Sequence, residues 1–225
     1  GKTSFALNIV EHVGIVVNRP VAIFSLEMSR DQIGSRLMCG RAMVDSQKSR
    51  VGQLTDEDYQ KLADAMAPFD SSKIYIDDTP NTGPTEILAK LRRFKHQQGD
   101  LGLVVIDYLQ LMSLGGRVEN RQLEIAQITR SLKIMARELA CPVMVLSQLR
   151  RVGDARANQP PQLSDLRESG SIEQDADVVI FLHRDDYFNT DGEPTGRSRI
   201  IIAKQRSGPT GSIEVKWRGE MTKYY

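Results

Sequence analysis

Hydrophobic and polar positions follow two rhythms along this chain, and the switches between them predict its elements. Phe5, Ile9, Val10, Val13 and Val17 recur at helical spacing, predicting a helix over residues 3–17 that Asn18-Arg19-Pro20 ends. A buried strand is expected over 21–26, followed by Glu27 and a helix over about 31–43. Thr55-Asp56-Glu57-Asp58 resembles a capping box and opens a helix to about residue 67. Residues 73–77 read as a strand, and Gly83-Pro84 starts a basic helix ending near Gly99. Leu103-Val104-Val105-Ile106 is an uninterrupted apolar run, suited to a strand buried on both faces of a parallel sheet, and it stops on Asp107.

Beyond Asp107, Gly115-Gly116 marks a flexible loop before a helix over 121–139, whose apolar stripe is Ile125, Ile128, Leu132, Met135 and Leu139. A strand over 142–147 leads to Gln148. Residues 150–164, with Pro160-Pro161, read as an exposed loop. A strand over 177–182 and a turn region over 189–196 follow. Residues 199–203 and 212–217 alternate as an antiparallel pair around Gly208-Pro209. Strand and helix alternate until the end, where strands follow strands. The expected class is α/β: a mostly parallel sheet covered by helices on both faces, with a short carboxy-terminal antiparallel extension.

Composition narrows the class. The chain has 225 residues, 40% hydrophobic and 26% charged, enough for one large domain burying roughly 70% of its unfolded surface. No apolar stretch approaches the ~20 residues of a membrane helix, and no signal peptide is visible. The first residue is not a natural start, so upstream sequence is expected. Cys39 and Cys141 lack His or Cys neighbours at metal spacing and read as small buried hydrophobes in a reducing, cytoplasmic setting. The net charge is +1, so any affinity for nucleic acid must come from a local patch or from many subunits together.

The chemistry concentrates at strand and helix ends. Gly1-Lys2-Thr3 supplies the last three letters of a G-x-x-x-x-G-K-[ST] phosphate loop leading into a helix. A helix amino terminus cradles phosphate, Lys2 adds a cation, and Thr3 with Asp107 would hold a magnesium ion. Glu27 follows a neighbouring strand; it either activates a water or simply favours the dipole of the next helix. Arg36 is a second cation near the same edge or a surface arginine. Gln148 is a strand-terminal amide, either a γ-phosphate sensor or a solvent-facing cap. Lys204-Gln205-Arg206 aims two cations to one side of a strand, where they either reach a neighbour's γ-phosphate or protect a sheet edge. Cations outnumber acids between Arg117 and Arg167, and the segments at Gly115-Gly116 and Arg167-Glu168-Ser169-Gly170 suit contact with a phosphate backbone.

With these pieces in place, the chain resembles the carboxy-terminal motor domain of the DnaB-family replicative DNA helicases. The carriers are GKTSFALN at the start, FSLEM from Phe24, VVIDYLQLM from Val104, VLSQL from Val145, SDLRESGSIEQDAD from Ser164 and KQRSGPTG from Lys204, in the family's order over the whole chain. The resemblance implies a RecA-like phosphate-loop core in a homo-hexameric ring, ATP and Mg²⁺ between subunits, and single-stranded DNA in the channel. It also implies a primase and a helicase loader as partners. Carried over by motif, Gly1, Lys2, Thr3 and Arg36 bind nucleotide, with Thr3 and Asp107 on the metal side. Glu27 activates water, Gln148 senses the γ-phosphate, and Lys204 and Arg206 act in trans. Arg167, Glu168 and Gly170 hold the DNA backbone, with Arg117 a further candidate from a loop that matches the family poorly. Arg150 and Ser207 stand where many members have Asn. Two rivals remain: a RecA-type recombination or clock-like ATPase, and a non-catalytic adaptor that binds DNA or a loader.

Overall fold

In the computed structural model, which describes residues 1–115, 120–150, 159–184 and 195–225, two parallel strands form the centre. These are β1 (Val21–Ser25) and β3 (Leu103–Asp107), with Val21 opposite Leu103 and Ser25 opposite Asp107. Strand β2 (Ile74–Asp77) flanks β1 and β4 (Val143–Val145) flanks β3, both parallel, giving the order β2-β1-β3-β4. The covering helices are α1 (Lys2–Glu11), α2 (Arg30–Ala42), α3 (Ser46–Val51), α4 (Asp56–Asp70), α5 (Pro84–Gln98) and α6 (Arg121–Leu139).

Strand parity sorts the core. Val21, Ile23, Leu103 and Val105 point to the face carrying Ala6, Leu7 and Val10 of α1 with Ile33 and Leu37 of α2. Ala22, Phe24, Val104 and Ile106 point the other way, onto Ile87 and Leu91 of α5 and the α6 stripe. A sheet covered on both faces needs strands that are apolar on both sides, and this is how β1 and β3 read up to their last residues, Ser25 and Asp107. Each fully buried side chain of this kind contributes about 1.5–3 kcal/mol.

Several boundaries differ from expectation for physical reasons. The first helix changes winding at a π-type segment, His12–Val16. A Cβ on Gly14 there would lie 2.6 Å from the Ile74 side chain, so only glycine lets the helix approach the sheet this closely. The box at Thr55 forms as expected, with reciprocal bonds between Thr55 and Asp58, but α4 runs through Pro68 to Asp70. Helix α3 was not expected: it buries no residue and rests on Asp45 capping Gln47 and Lys48. Strand β4 is shorter than the predicted 142–147, although Leu146 still donates to the Ile106 carbonyl at 2.9 Å.

The antiparallel part is larger than a short extension. Strands β5 (Val178–Arg184), β6 (Arg197–Gln205), β7 (Gly211–Arg218) and β8 (Lys223–Tyr224) form a sheet of four, as many as the parallel sheet has. Part of the predicted 150–164 loop is instead a 3₁₀ helix, Leu163–Ser169, that continues into α7 (Gly170–Asp175). Its Leu163 and Leu166 pack on Val179 and Phe181 of β5. Residues 151–158 of that predicted loop, and 189–194 of the predicted 189–196 turn, lie outside the described residues.

Among the described residues, no strand pairing joins the two sheets. A cavity of about 1300 Å³ runs between β4 and β5 and reaches Gly1 and Lys2. The carboxy-terminal strand spans the two halves. Tyr224 packs edge-on against Phe5 at 5.9 Å, and its backbone N–H donates to Asn8 Oδ1 at 3.0 Å. Lys223 reaches Glu11 at 3.0 Å, and Glu11 also holds Arg41 at 3.1 Å. The antiparallel sheet is thereby fastened to α1, the helix that follows the phosphate-loop residues.

Candidate nucleotide site and its connections

Asp107 shares the parity of Leu103 and Val105, so its carboxylate falls on the α1 side of the sheet. There the Thr3 hydroxyl donates to Asp107 Oδ2 at 2.7 Å. Asp107 is only 3% exposed. Two hard oxygen donors, a hydroxyl and a carboxylate, suit Mg²⁺, which keeps most of its waters and needs few protein ligands. Strand β3 then passes through a cis Asp107–Tyr108 peptide into a 3₁₀ turn, Leu109–Leu111.

Glu27, Lys2 and Arg36 lie along the same edge. The Leu26 N–H donates to the Asp107 carbonyl at 2.7 Å, so the tips of β1 and β3 are adjacent and Glu27, exposed, emerges beside them. Lys2 is exposed at the start of α1, and Arg36 is half-buried on α2. Arg184, Lys2 and Arg36 all lie close enough to Gly1 to act on it electrostatically, with the Asp107 carboxylate opposing them. Three cations therefore act on this one point. Arg184 was not expected; it lies at the end of β5, 5.3 Å over the Trp217 ring, and no sequence spacing links it to Gly1. Tyr224 also closes on this corner, since a Cβ at position 1 would stand 2.2 Å from its hydroxyl.

Gln148 sits just past β4 with its side chain exposed and its backbone engaged. Its N–H donates to Gln110 Oε1 at 3.2 Å, while Gln110 Nε2 donates to the Gln148 carbonyl at 3.3 Å and to Ser147 Oγ at 2.9 Å. Gln110 lies within the VVIDYLQLM motif, yet sequence reading gave it no role.

Lys204 and Arg206 lie on one side, as their spacing predicts, but here they serve their own chain. Lys204 Nζ donates to the Glu173 carbonyl and Arg206 Nη2 donates to the Gln174 carbonyl at 2.7 Å, both near the end of α7. Arg206 also pairs with Asp177 at 3.4 Å, whose carboxyl Lys133 holds below the usual range. Helix α7 is tied to α6 by Thr129, which donates to Asp175 at 2.6 Å. Gly170 begins α7 and is exposed. Arg167 and Glu168 lie in the preceding 3₁₀ helix, but their side chains are outside the described part of the structure, and so is Arg117 altogether.

A helix amino terminus preceded by Gly-Lys, aligned with a strand-terminal acid on a parallel sheet, defines a RecA-like phosphate-loop domain of the ATPase class. The chain matches the model of the DnaB-like helicase C terminal domain over residues 1–225, and it belongs to that family. It is 52% identical over 225 residues to the replicative DNA helicase DnaB of Geobacillus stearothermophilus. It is 49% identical over the same length to the replicative DNA helicase DnaC of Bacillus subtilis (strain 168). It covers 49% of each relative and so spans about half their length. Among solved structures, the ATPase domain of G40P superposes with a TM-score of 0.92 at 36% identity, covering 99% of this chain and 79% of that one. A DnaB-like replicative helicase described with its interactions with primase gives 0.93 at 37%, covering 100% and 54%.

Proposed function

We propose that this domain is the ATP-hydrolysing motor of a replicative DNA helicase, working as a homo-hexamer on single-stranded DNA. The observation that carries the reading is the Thr3–Asp107 hydrogen bond, which joins the helix after the phosphate loop to the acid at the tip of the central strand.

The roles follow from position. The amino end of α1 and Lys2 bind the phosphates of ATP, and Thr3 with Asp107 hold Mg²⁺, which supplies charge neutralisation on the phosphoryl oxygens. Glu27, beside the β3 tip, orients and deprotonates the attacking water. Gln148 faces the γ-phosphate, and Arg36 adds positive charge at the edge. Lys204 and Arg206 act on the nucleotide of the adjoining subunit, which requires them to leave the α7 carbonyls. Arg167, Glu168, Gly170 and Arg117 contact the DNA backbone. Primase and a loader are the expected protein partners, the first in keeping with the primase named for one structural relative.

The test is phosphate release by the assembled protein with and without single-stranded DNA. Asp107→Asn keeps the shape and an acceptor for Thr3 but loses the charge, and should cut magnesium-dependent turnover by roughly 100-fold or more. Turnover at the parental rate would refute the site.

A further inference from the structure

The segment between β3 and α6 is held at both ends by one chain of polar contacts. At the near end, Gln110 grips the backbone of Gln148 with both ends of its side-chain amide, as described above. Its own carbonyl is not free: Arg121 Nη2 donates to it at 2.8 Å and to the Met112 carbonyl at 3.0 Å. Arg121 also pairs with Glu124 one turn along α6. Glu124 is 4% exposed and accepts from the Leu114 N–H at 3.0 Å and the Ser113 hydroxyl at 3.2 Å. Ser113 Oγ in turn accepts from the Gly115 N–H at 3.1 Å. The Leu114 N–H, then the Arg121 charge, hold the Glu124 carboxyl below its usual range against burial.

This architecture is more than is needed to end a strand. A buried carboxylate is costly unless every oxygen is satisfied, and here the partners are the backbone and hydroxyl of residues 113–114. The loop base is thus built onto α6, and Gln110 builds the same assembly onto the sensor strand. Beside it lies a pocket of about 310 Å³ lined by Gln110, Arg121, Gln148, Asp165 and Leu166. The pocket gives this joint room to shift without displacing the packed core. Arg150 continues from Gln148 along the same wall, its N–H donating to the Asp165 carbonyl at 3.4 Å.

We propose that Gln110 is a positioning residue coupling the sensor tip at Gln148 to the loop after β3, through the Arg121–Glu124 pair. The proposal rests on the motor reading above and deepens it. A shift of the Gln148 backbone moves both hydrogen bonds of the Gln110 amide together. The Gln110 carbonyl then drags the Arg121 guanidinium, whose other bonds set the heights of Met112 and, through Glu124, of Ser113 and Leu114. Neither Gln110 nor Glu124 touches nucleotide in this scheme.

The experiment measures ATP turnover with and without single-stranded DNA, and DNA affinity, on the assembled protein. Gln110→Ala should leave basal turnover within about two-fold of the parent. It should lower the DNA stimulation ratio by roughly 5-fold or more, the low end of ordinary site–site coupling. Glu124→Gln, which keeps shape and one acceptor, should lower the ratio likewise, and the double variant should be no worse than the stronger single. Ser147→Ala, which removes only one of the Gln110 contacts, should keep most of the stimulation. A purely structural role would lower basal and stimulated rates together and leave the ratio intact. Full stimulation in Gln110→Ala, or additive losses in the double variant, overturns the coupling alone. A parent that shows no DNA-stimulated hydrolysis overturns it together with the motor reading.

Discussion

Thr3 and Asp107 meet across 104 positions, and each arrives by a different local rule: the first by helix initiation, the second by strand parity. Asp77, at the tip of β2, shows the same logic in a structural role. Burial alone would raise its carboxyl, but bonds from Thr79, Lys90 and Tyr75 outweigh it and bring it to about 2, from 3.8. Lys90 sits 2.9 Å away and the Thr79 N–H also at 2.9 Å. A carboxylate with a depressed folded-state pKa stabilises above the unfolded value, and the contribution is lost as pH falls through the folded one. Acid titration between about pH 4 and pH 2 should therefore remove roughly 2 kcal/mol of stability that Asp77→Asn already lacks. Parallel acid-unfolding curves for parent and variant would contradict this. Arg206 allows a sharper functional test. Its guanidinium is half-exposed although bonded to α7, so Arg206→Ala should fold and bind nucleotide while the assembled protein loses roughly 10³-fold or more in turnover, as expected of a cation supplied across a subunit boundary. Normal DNA-stimulated hydrolysis would remove it from that role.

At the scale of elements, the strands explain what could be read from the sequence. β1 and β3 are apolar over Val21–Phe24 and Leu103–Ile106 because both faces are covered, and α5 and α6 carry long stripes with a clear period. Ile106→Ala, at a site with no exposure, should cost about 2–5 kcal/mol in chemical denaturation. Thr55→Ala, which only uncaps α4, should cost about 1 kcal/mol. A smaller penalty for the strand than for the cap would mean the parallel sheet is not the core. Other elements carried no such period. Helices α3 and α7 have six residues each and no buried stripe, so their signal is a single cap or a distant partner such as Thr129. Strand β8 is two residues long and exists because Tyr224 and Lys223 find α1. The site divides in the same way: Lys2, Thr3, Glu27 and Asp107 mark element ends visible in one dimension. Gln110 and Arg184 act through contacts with segments far away in sequence, Arg121 and Glu124 through contacts across the β3–α6 connection, and residue type alone does not single any of them out.

For the whole molecule, the decisive quantity is charge. A net +1 over 225 residues cannot by itself hold a polyanion, so binding must come from a few cations placed on one surface and repeated by assembly. In the present fold the segment carrying Arg167 is anchored by Leu163 and Leu166 on β5, and α7 after it holds Lys204 and Arg206. One short segment therefore adjoins the proposed DNA contact at one end and the proposed trans-acting cations at the other. If Arg167 neutralises a phosphate, it releases counterions, and affinity for single-stranded DNA should fall with salt at a log–log slope of about −0.7 per phosphate contact in each engaged subunit. Arg167→Ala should weaken binding at low salt and flatten that slope by about 0.7 for every subunit engaged, while basal hydrolysis continues. A uniform loss of affinity with an unchanged slope would mean that the substitution disturbed the 3₁₀ helix rather than a phosphate contact. Equal affinity at every salt concentration would take Arg167 off the DNA.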